Sequence, residues 1–222
     1  MDFDNIKKKA EEIFDIAAEP TVDIVSSMVF EGVIGSIAPG VVSAVLAYKQ
    51  KRQERNYEKF LFLLKERCSE LEARLEKLEE ESRKTFTSDY FGIISDYVLD
   101  EAQEEKIEYI VNGFVNLALI ESANEDFVLS YYDTLRDLRM VDIAILRTYK
   151  YAEDSVKIRK SYGIDLNQHR LIEQKLVRLG LLDFKSGAPI ESMLGIIKER
   201  TVDQYWLNEY GDEFLKFFIE KY

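Results

Sequence analysis

The C-terminal sixty residues constrain this chain more than any other part. Residues 169–184 read His-Arg-Leu-Ile-Glu-Gln-Lys-Leu-Val-Arg-Leu-Gly-Leu-Leu-Asp-Phe, and residues 205–218 read Tyr-Trp-Leu-Asn-Glu-Tyr-Gly-Asp-Glu-Phe-Leu-Lys-Phe-Phe. Apolar residues at spacings of three and four followed by a glycine predict a helix that stops at Gly180 in the left-handed conformation. Leu181 to Phe184 then makes a first strand. Thr201 to Leu207 alternates Val202, Gln204 and Trp206 against Asp203, Tyr205 and Leu207, the period of a ribbon strand. Asn208 caps a final helix, Glu209 adds negative charge to its first turn, and Phe214, Leu215, Phe217 and Phe218 return to a core.

This is the element order of a winged helix. Asp137 to Tyr151 supplies its first helix, Val156 to Tyr162 a short second and Asp165 to Leu179 the third, with Gly163 and Gly180 as stops. After the first strand, Lys185 to Pro189 opens a long wing, with an extended stretch at Ile196 to Lys198. On the third helix Ile172, Leu176 and Leu179 face inward, with Leu166 and Leu171 at the margins. About 100° of rotation per residue places Asn167, Arg170, Gln174 and Arg178 on the opposite stripe. Those side chains suit phosphates and base edges, since Arg reads guanine and Asn or Gln reads adenine. They equally suit an ordinary solvated face. His169 lies near the buried edge and reads as structural, since one histidine without a nearby Ser, Cys or metal partner makes a poor catalyst.

Charge cuts against a simple nucleic-acid reading, because the chain carries a net −12. The excess is uneven: residues 87–154 hold 5 Lys/Arg against 15 Asp/Glu, whereas residues 155–200 hold 9 against 5. The winged-helix region is a basic island in an acidic chain.

Upstream, Asp4 to Ala18 is a short amphipathic helix ending before Pro20. Residues 24–48 contain a single charge, Glu31, and are followed at once by Lys49, Lys51, Arg52 and Arg55. Gly32, Ser36, Gly40 and Ala44 recur every four residues, a spacing that lets helices approach closely. A membrane-inserted segment fits this run in length and in its basic flank. A soluble or subunit-buried helical hairpin broken near Pro39 fits it as well, since proline disfavours a straight helix there. From Pro39 to about Arg83 no breaker occurs, which predicts one helix on the order of 60 Å long. Leu61, Leu64, Cys68, Leu71, Leu75 and Leu78 alternate steps of three and four along it, a coiled-coil stripe suited to self-association. Cys68 reads as a small apolar member of that stripe with an inert thiol.

Thr85 to Ser88 interrupts the pattern, and Ser88 or Asp89 can cap the next helix. Helices are then predicted at about 89–103, 104–120 and 124–136. Glu101, Glu104, Glu105 and Glu108 share one predicted side, read as a solvated acidic face, because helical di-metal sites also use Glu-x-x-His. The fold class is therefore mainly α. An N-terminal part, residues 1–86, holds the hairpin and the long coiled-coil-like helix. Residues 87–222 hold an acidic helical middle and the winged helix with its small β-ribbon from about residue 137.

No phosphate-cradling glycine loop, nucleophile elbow or metal-ligand cluster occurs, so neither an enzyme nor a cofactor is expected. One Cys and one His exclude an internal disulfide and a one-chain Cys/His zinc site. The opening Met-Asp-Phe-Asp lacks a basic and apolar leader, so the expected location is the cytoplasm, with membrane association left open by residues 24–48.

Leu176-Val-Arg-Leu-Gly-Leu-Leu182 followed by Tyr205-Trp-Leu-Asn-Glu-Tyr-Gly-Asp-Glu-Phe214 resembles the ending of many bacterial winged-helix proteins, with Asn208 in place of the usual threonine. Phe114-Val-Asn-Leu-Ala-Leu119 and Leu135 to Leu146 resemble the corresponding run of the abortive-infection alpha family. Asp142 stands as its acidic residue, and Ala118 stands where the pattern prefers leucine. The resemblance covers residues 110–218. It implies a bacterial or prophage protein linked to phage infection, with no established chemistry.

Three functions follow as expectations. The leading one is a non-enzymatic helical interaction or scaffold protein, with a protein partner or a second copy bound through the stripe and the winged helix. The second is a DNA-binding regulator using Asn167, Arg170, Gln174 and Arg178. The third is a membrane-active effector acting through residues 24–48.

Overall fold

A computed structural model describes residues 41–120, 123–151, 153–187, 190–191, 198–199 and 203–220. The protein is mainly helical, with ten α-helices and short antiparallel strand pairs among the described residues. The chain divides into two compact units between Tyr132 and Asp133.

The first unit contains α1 (Val41–Glu66), α2 (Cys68–Leu75) and α3 (Glu80–Thr85). A π-helical turn (Phe86–Tyr90), α4 (Phe91–Asp100), a 3-10 turn (Glu104–Lys106) and α5 (Ile107–Leu117) follow. The helix α6 (Glu125–Asp137) begins in this unit. The single helix expected from Pro39 to Arg83 is thus three helices. Arg67 N–H turns back to Leu64 O, and Lys77 and Leu78 bond three residues back before Glu79 restarts the chain in extended geometry. No glycine or proline marks either break, so periodicity alone runs through both. Nor does a side chain cap α4: its N-cap is Tyr90, in helical geometry after the π turn, rather than Ser88 or Asp89.

Three leucines of the stripe are buried inside the unit. Leu64, Leu71 and Leu75 are buried, Leu61 and Leu78 half-buried, and α1 packs on α4 and α5. Leu64, Leu71 and Leu75 thus face the chain's own helices. One core joins α1 to α4 and α5, and the boundary between units falls after Tyr132, where the sequence grouping of residues 1–86 and 87–222 put it after residue 86. Phe60 lies 5.9 Å from Phe91, and Phe86 stacks 4.6 Å from Phe114.

Polar side chains finish this core by taking up carbonyls at helix ends, which have no partner within their own helix. Asn56 Nδ2 donates to Val98 O and Glu101 O at the end of α4, at 3.0 and 2.8 Å. Arg74 Nη1 donates to Val115 O in the last turn of α5 at 2.8 Å. Arg83 Nε donates to Leu75 O at the end of α2 at 3.0 Å. The charged flanks of the stripe turn inward too, as Arg67 binds Glu70 and Asn112 while Arg74 binds Glu70 and Asn116. The two guanidiniums hold the Glu70 carboxyl below the usual carboxylate range, Arg67 most of all.

Glu101 departs from the expected acidic face. It ends α4 in extended geometry and is buried, with Oε2 2.7 Å from Lys106 Nζ. The break at residues 101–103 destroys the helical spacing that would have aligned it with Glu104, Glu105 and Glu108.

The second unit contains the end of α6, then α7 (Met140–Tyr151), α8 (Ser155–Ser161), α9 (Leu166–Arg178) and α10 (Glu209–Phe218). Its strands are β1 (Leu182–Lys185), β2 (Ile190–Glu191), β3 (Lys198–Glu199) and β4 (Gln204–Leu207). β1 pairs with β4 from Leu182↔Leu207 to Lys185↔Gln204, and β2 pairs with β3 at Ile190↔Glu199. Both pairs keep the register of one hairpin. Gly163 and Gly180 have φ of 64° and 73°, the left-handed stops expected after α8 and α9. At each, two backbone bonds close the helix end, such as Gly180 N to Val177 O and Leu181 N to Leu176 O. Leu176, Leu181, Leu182, Phe214, Leu215 and Phe218 fill the core with Ile143 and Leu146 of α7.

Gly32, Ser36 and Gly40 lie outside the described residues. Ala44 lies in α1, but its side chain is outside them, as is that of Cys68. No helix among the described residues is long and apolar enough to cross a membrane.

Candidate nucleic-acid interface

The candidate surface is built on α8, the Gly163 turn and α9. Asp165 begins α9 with a capping box, accepting the Gln168 N–H at 2.8 Å while Gln168 Oε1 accepts the Asp165 N–H at 2.9 Å. Asp154 caps α8 by accepting the N–H groups of Val156 and Lys157. These caps fix where each helix starts, and so which residues face out.

Asn167, Arg170, Gln174 and Arg178 are all exposed, as the sequence spacing requires. Leu166 and Leu171, expected at the buried margins, are 70% and 64% exposed, the highest values for leucines among the described residues. At about 100° per residue they border the polar stripe on its two sides. Sequence periodicity sets them at the margins of the inward face, where apolar residues argue for partial burial. The same arithmetic places Leu171 only about 40° from Asn167, and that was the missed signal.

The electrostatics of this unit differ from those of the chain. Residues 133–222 hold 15 Lys/Arg and 15 Asp/Glu, so the net −12 of the chain belongs wholly to residues 1–132. Within residues 155–185 seven cations (Lys157, Arg159, Lys160, Arg170, Lys175, Arg178 and Lys185) meet three carboxylates. Two of the three are committed to the fold: Asp165 caps α9, and Glu173 accepts the Tyr149 hydroxyl at 2.5 Å. The third, Asp183, lies on the ribbon 3.3 Å from Asn208 Nδ2. The ion pairs of the unit use Arg136, Arg147, Lys150, Lys175 and Lys216. Lys157, Lys160, Arg170 and Arg178 are left exposed and outside any ion pair among the described residues. The surface therefore offers positive charge and hydrogen-bond donors with little competing negative charge.

Behind the surface, buried polar contacts hold α9 in place. Asp142 of α7 accepts Lys175 Nζ at 2.5 Å and the Arg139 N–H at 2.8 Å, so this acidic residue ties α9 to the start of α7. His169 Nδ1 lies 3.6 Å from Glu173 Oε2, and Nε2 is buried without a protein hydrogen-bond partner. Burial lowers the His169 pKa below its ordinary value of 6.5, helped by Arg159 and opposed by Glu173. The unfolded chain thus binds this proton more readily than the folded one. Stability is full above about pH 6.5 and is lost as pH falls through the lowered folded value. The thermal midpoint is expected to drop between pH 7 and 5 in the native chain, and less in His169→Phe. Parallel pH profiles for the two proteins would contradict this.

No metal-binding group of three or more His, Cys, Asp or Glu side chains occurs among the described residues. Comparison of the chain with protein-family models, curated proteins and solved structures found no match to any of them.

Proposed function

We propose that the second unit is a winged-helix module that binds duplex nucleic acid through α9, in a non-enzymatic protein. The observation carrying this reading is the shared exposure of Asn167, Arg170, Gln174 and Arg178 on a helix whose neighbouring carboxylates are largely engaged elsewhere. The α8–α9 pair has the helix-turn-helix order, with α9 in the position that enters a major groove, and the ribbon stands as the wing. The acidic charge of residues 1–132 opposes non-specific adhesion, which leaves affinity to this one surface. A bacterial or phage setting with a link to phage defence rests on the resemblance of residues 110–218 to the abortive-infection alpha family.

Fluorescence anisotropy of the full chain with labelled duplex tests the reading. Affinity is expected to fall steeply with salt, since each neutralised phosphate releases counterions. Replacing both Arg170 and Arg178 by Ala is expected to reduce the log–log salt slope by about 2. No binding to any duplex at low salt would remove the proposal.

A further inference from the structure

We infer that Leu171, with Leu166, is a specificity-determining contact of this surface, covering the C5-methyl groups of thymine in an A·T-containing major-groove site. This rests on the nucleic-acid reading above and deepens it. Leu166 and Leu171 stand at 70% and 64% exposure on the two sides of the polar stripe, so any ligand reaching that stripe meets them. The core of the unit is filled by other residues, with Leu176 fully buried on the opposite face of the same helix. The Asp165 capping box holds the first turns of α9 in register, so Leu166 and Leu171 are presented at fixed positions beside Asn167 and Arg170. Recognition helices meet base edges with their N-terminal residues, and this half of α9 carries all four.

The chemistry matches one kind of base pair. In the major groove adenine offers N7 as acceptor and N6 as donor, which an amide such as Asn167 satisfies with two bonds. Its partner thymine presents a methyl group, the one apolar feature of that groove, and an apolar side chain is its complement. An amide flanked by exposed leucines thus suits an A·T step on both strands. Arg170 and Arg178 supply phosphate or guanine contacts around it. The surface commits to duplex DNA because the B-form major groove admits an α-helix and carries thymine methyls, whereas the major groove of an RNA duplex is too deep and narrow for side chains to read.

Three duplexes of about two helical turns test this with the full chain: an alternating A·T sequence, the same sequence with deoxyuridine for every thymine, and a G·C sequence. Deoxyuridine keeps every hydrogen-bonding group and removes only the methyl. The native protein is expected to bind the thymine duplex about fourfold more tightly than the deoxyuridine duplex, the ratio given by burial of one methyl group. Leu171→Ala is expected to narrow this ratio, and Leu166→Ser/Leu171→Ser to bind the two equally. The circular dichroism of both variants should be native, because the side chains they lose are mostly in solvent.

Equal affinity of the native protein for the thymine and deoxyuridine duplexes overturns the methyl contact and leaves DNA binding standing. A Leu171→Ala loss of the same size on all three duplexes also overturns it, since the leucine would then act without reference to thymine. Binding to none of the three at low salt overturns both this inference and the reading beneath it.

Discussion

Gly211→Ala is expected to destabilise the second unit by about 3 kcal/mol or more, the upper range for forcing atoms into a packed interior. A Cβ at this position would stand 2.1 Å from the carbonyl oxygen of Leu181 and 2.8 Å from Leu207 Cδ1. The first is a backbone atom between α9 and β1, so it cannot rotate aside, and α10 would have to lift away from the ribbon. That shift would strain the Asn208 cap on the Gly211 N–H and the packing of Phe214 and Phe218. Alanine is the better helix former by about 1 kcal/mol, which offsets only part of the loss. Gly211 is helical, so it is there for close approach and not for backbone freedom. Trp206 on β4, the single tryptophan, reports this unit, and denaturant unfolding followed by its fluorescence should show a lower midpoint. A midpoint equal to that of the native protein would contradict the contact.

Lys106→Ala has a comparable expected effect on the first unit, about 3–5 kcal/mol, the range for removing one partner of a buried ion pair. Lys106 Nζ and Glu101 Oε2 are 2.7 Å apart, with side-chain exposures of 2% and 6%. The other Glu101 oxygen accepts the Gln103 N–H at 2.8 Å, and its backbone carbonyl accepts Asn56, so the carboxylate is built into the turn between α4 and α5. Without the lysine it would be left charged and buried. The double variant Glu101→Leu/Lys106→Met removes both charges at similar volume and is expected to recover most of the loss. Thermal unfolding by circular dichroism separates the cases. A loss under about 1 kcal/mol in the single variant is what an exposed pair would give, and would contradict the burial.

The second unit was the more legible of the two, and particular residues show why. Its punctuation is chemical: Gly163 and Gly180 sit at positive φ, Asp154 and Asp165 cap α8 and α9, and Asn208 caps α10 through the Gly211 N–H. Each signal acts within a few residues, so a local reading captures it. The breaks at Arg67 and after Leu75 carry no such mark. Their geometry is held from afar, with Arg67 reaching Asn112 and Arg83 reaching Leu75 O and Leu78 O. Periodicity marks the stripe of leucines as apolar and helical, yet an apolar stripe looks the same whether it faces a second chain or an α4 that follows it.

The candidate surface divides in the same way. Helical rotation alone put Asn167, Arg170, Gln174 and Arg178 on one side, and the structure leaves all four exposed. It did not show that Leu166 and Leu171 join them, because hydrophobicity argues for burial and only the packing of α9 reveals which leucines the core leaves out.

The sequence by itself determined the helical class, the Asn208 cap and the glycine stops of the C-terminal unit, its ribbon, and the polar stripe of α9, all of which depend on local order along the chain. Only the tertiary structure decided that Leu64, Leu71 and Leu75 of the stripe are buried within the chain, that Glu101 is buried against Lys106, and which cations of the second unit stand outside ion pairs among the described residues. Those depend on which distant segments meet, and burial and charge pairing are properties of that meeting, not of local order along the chain.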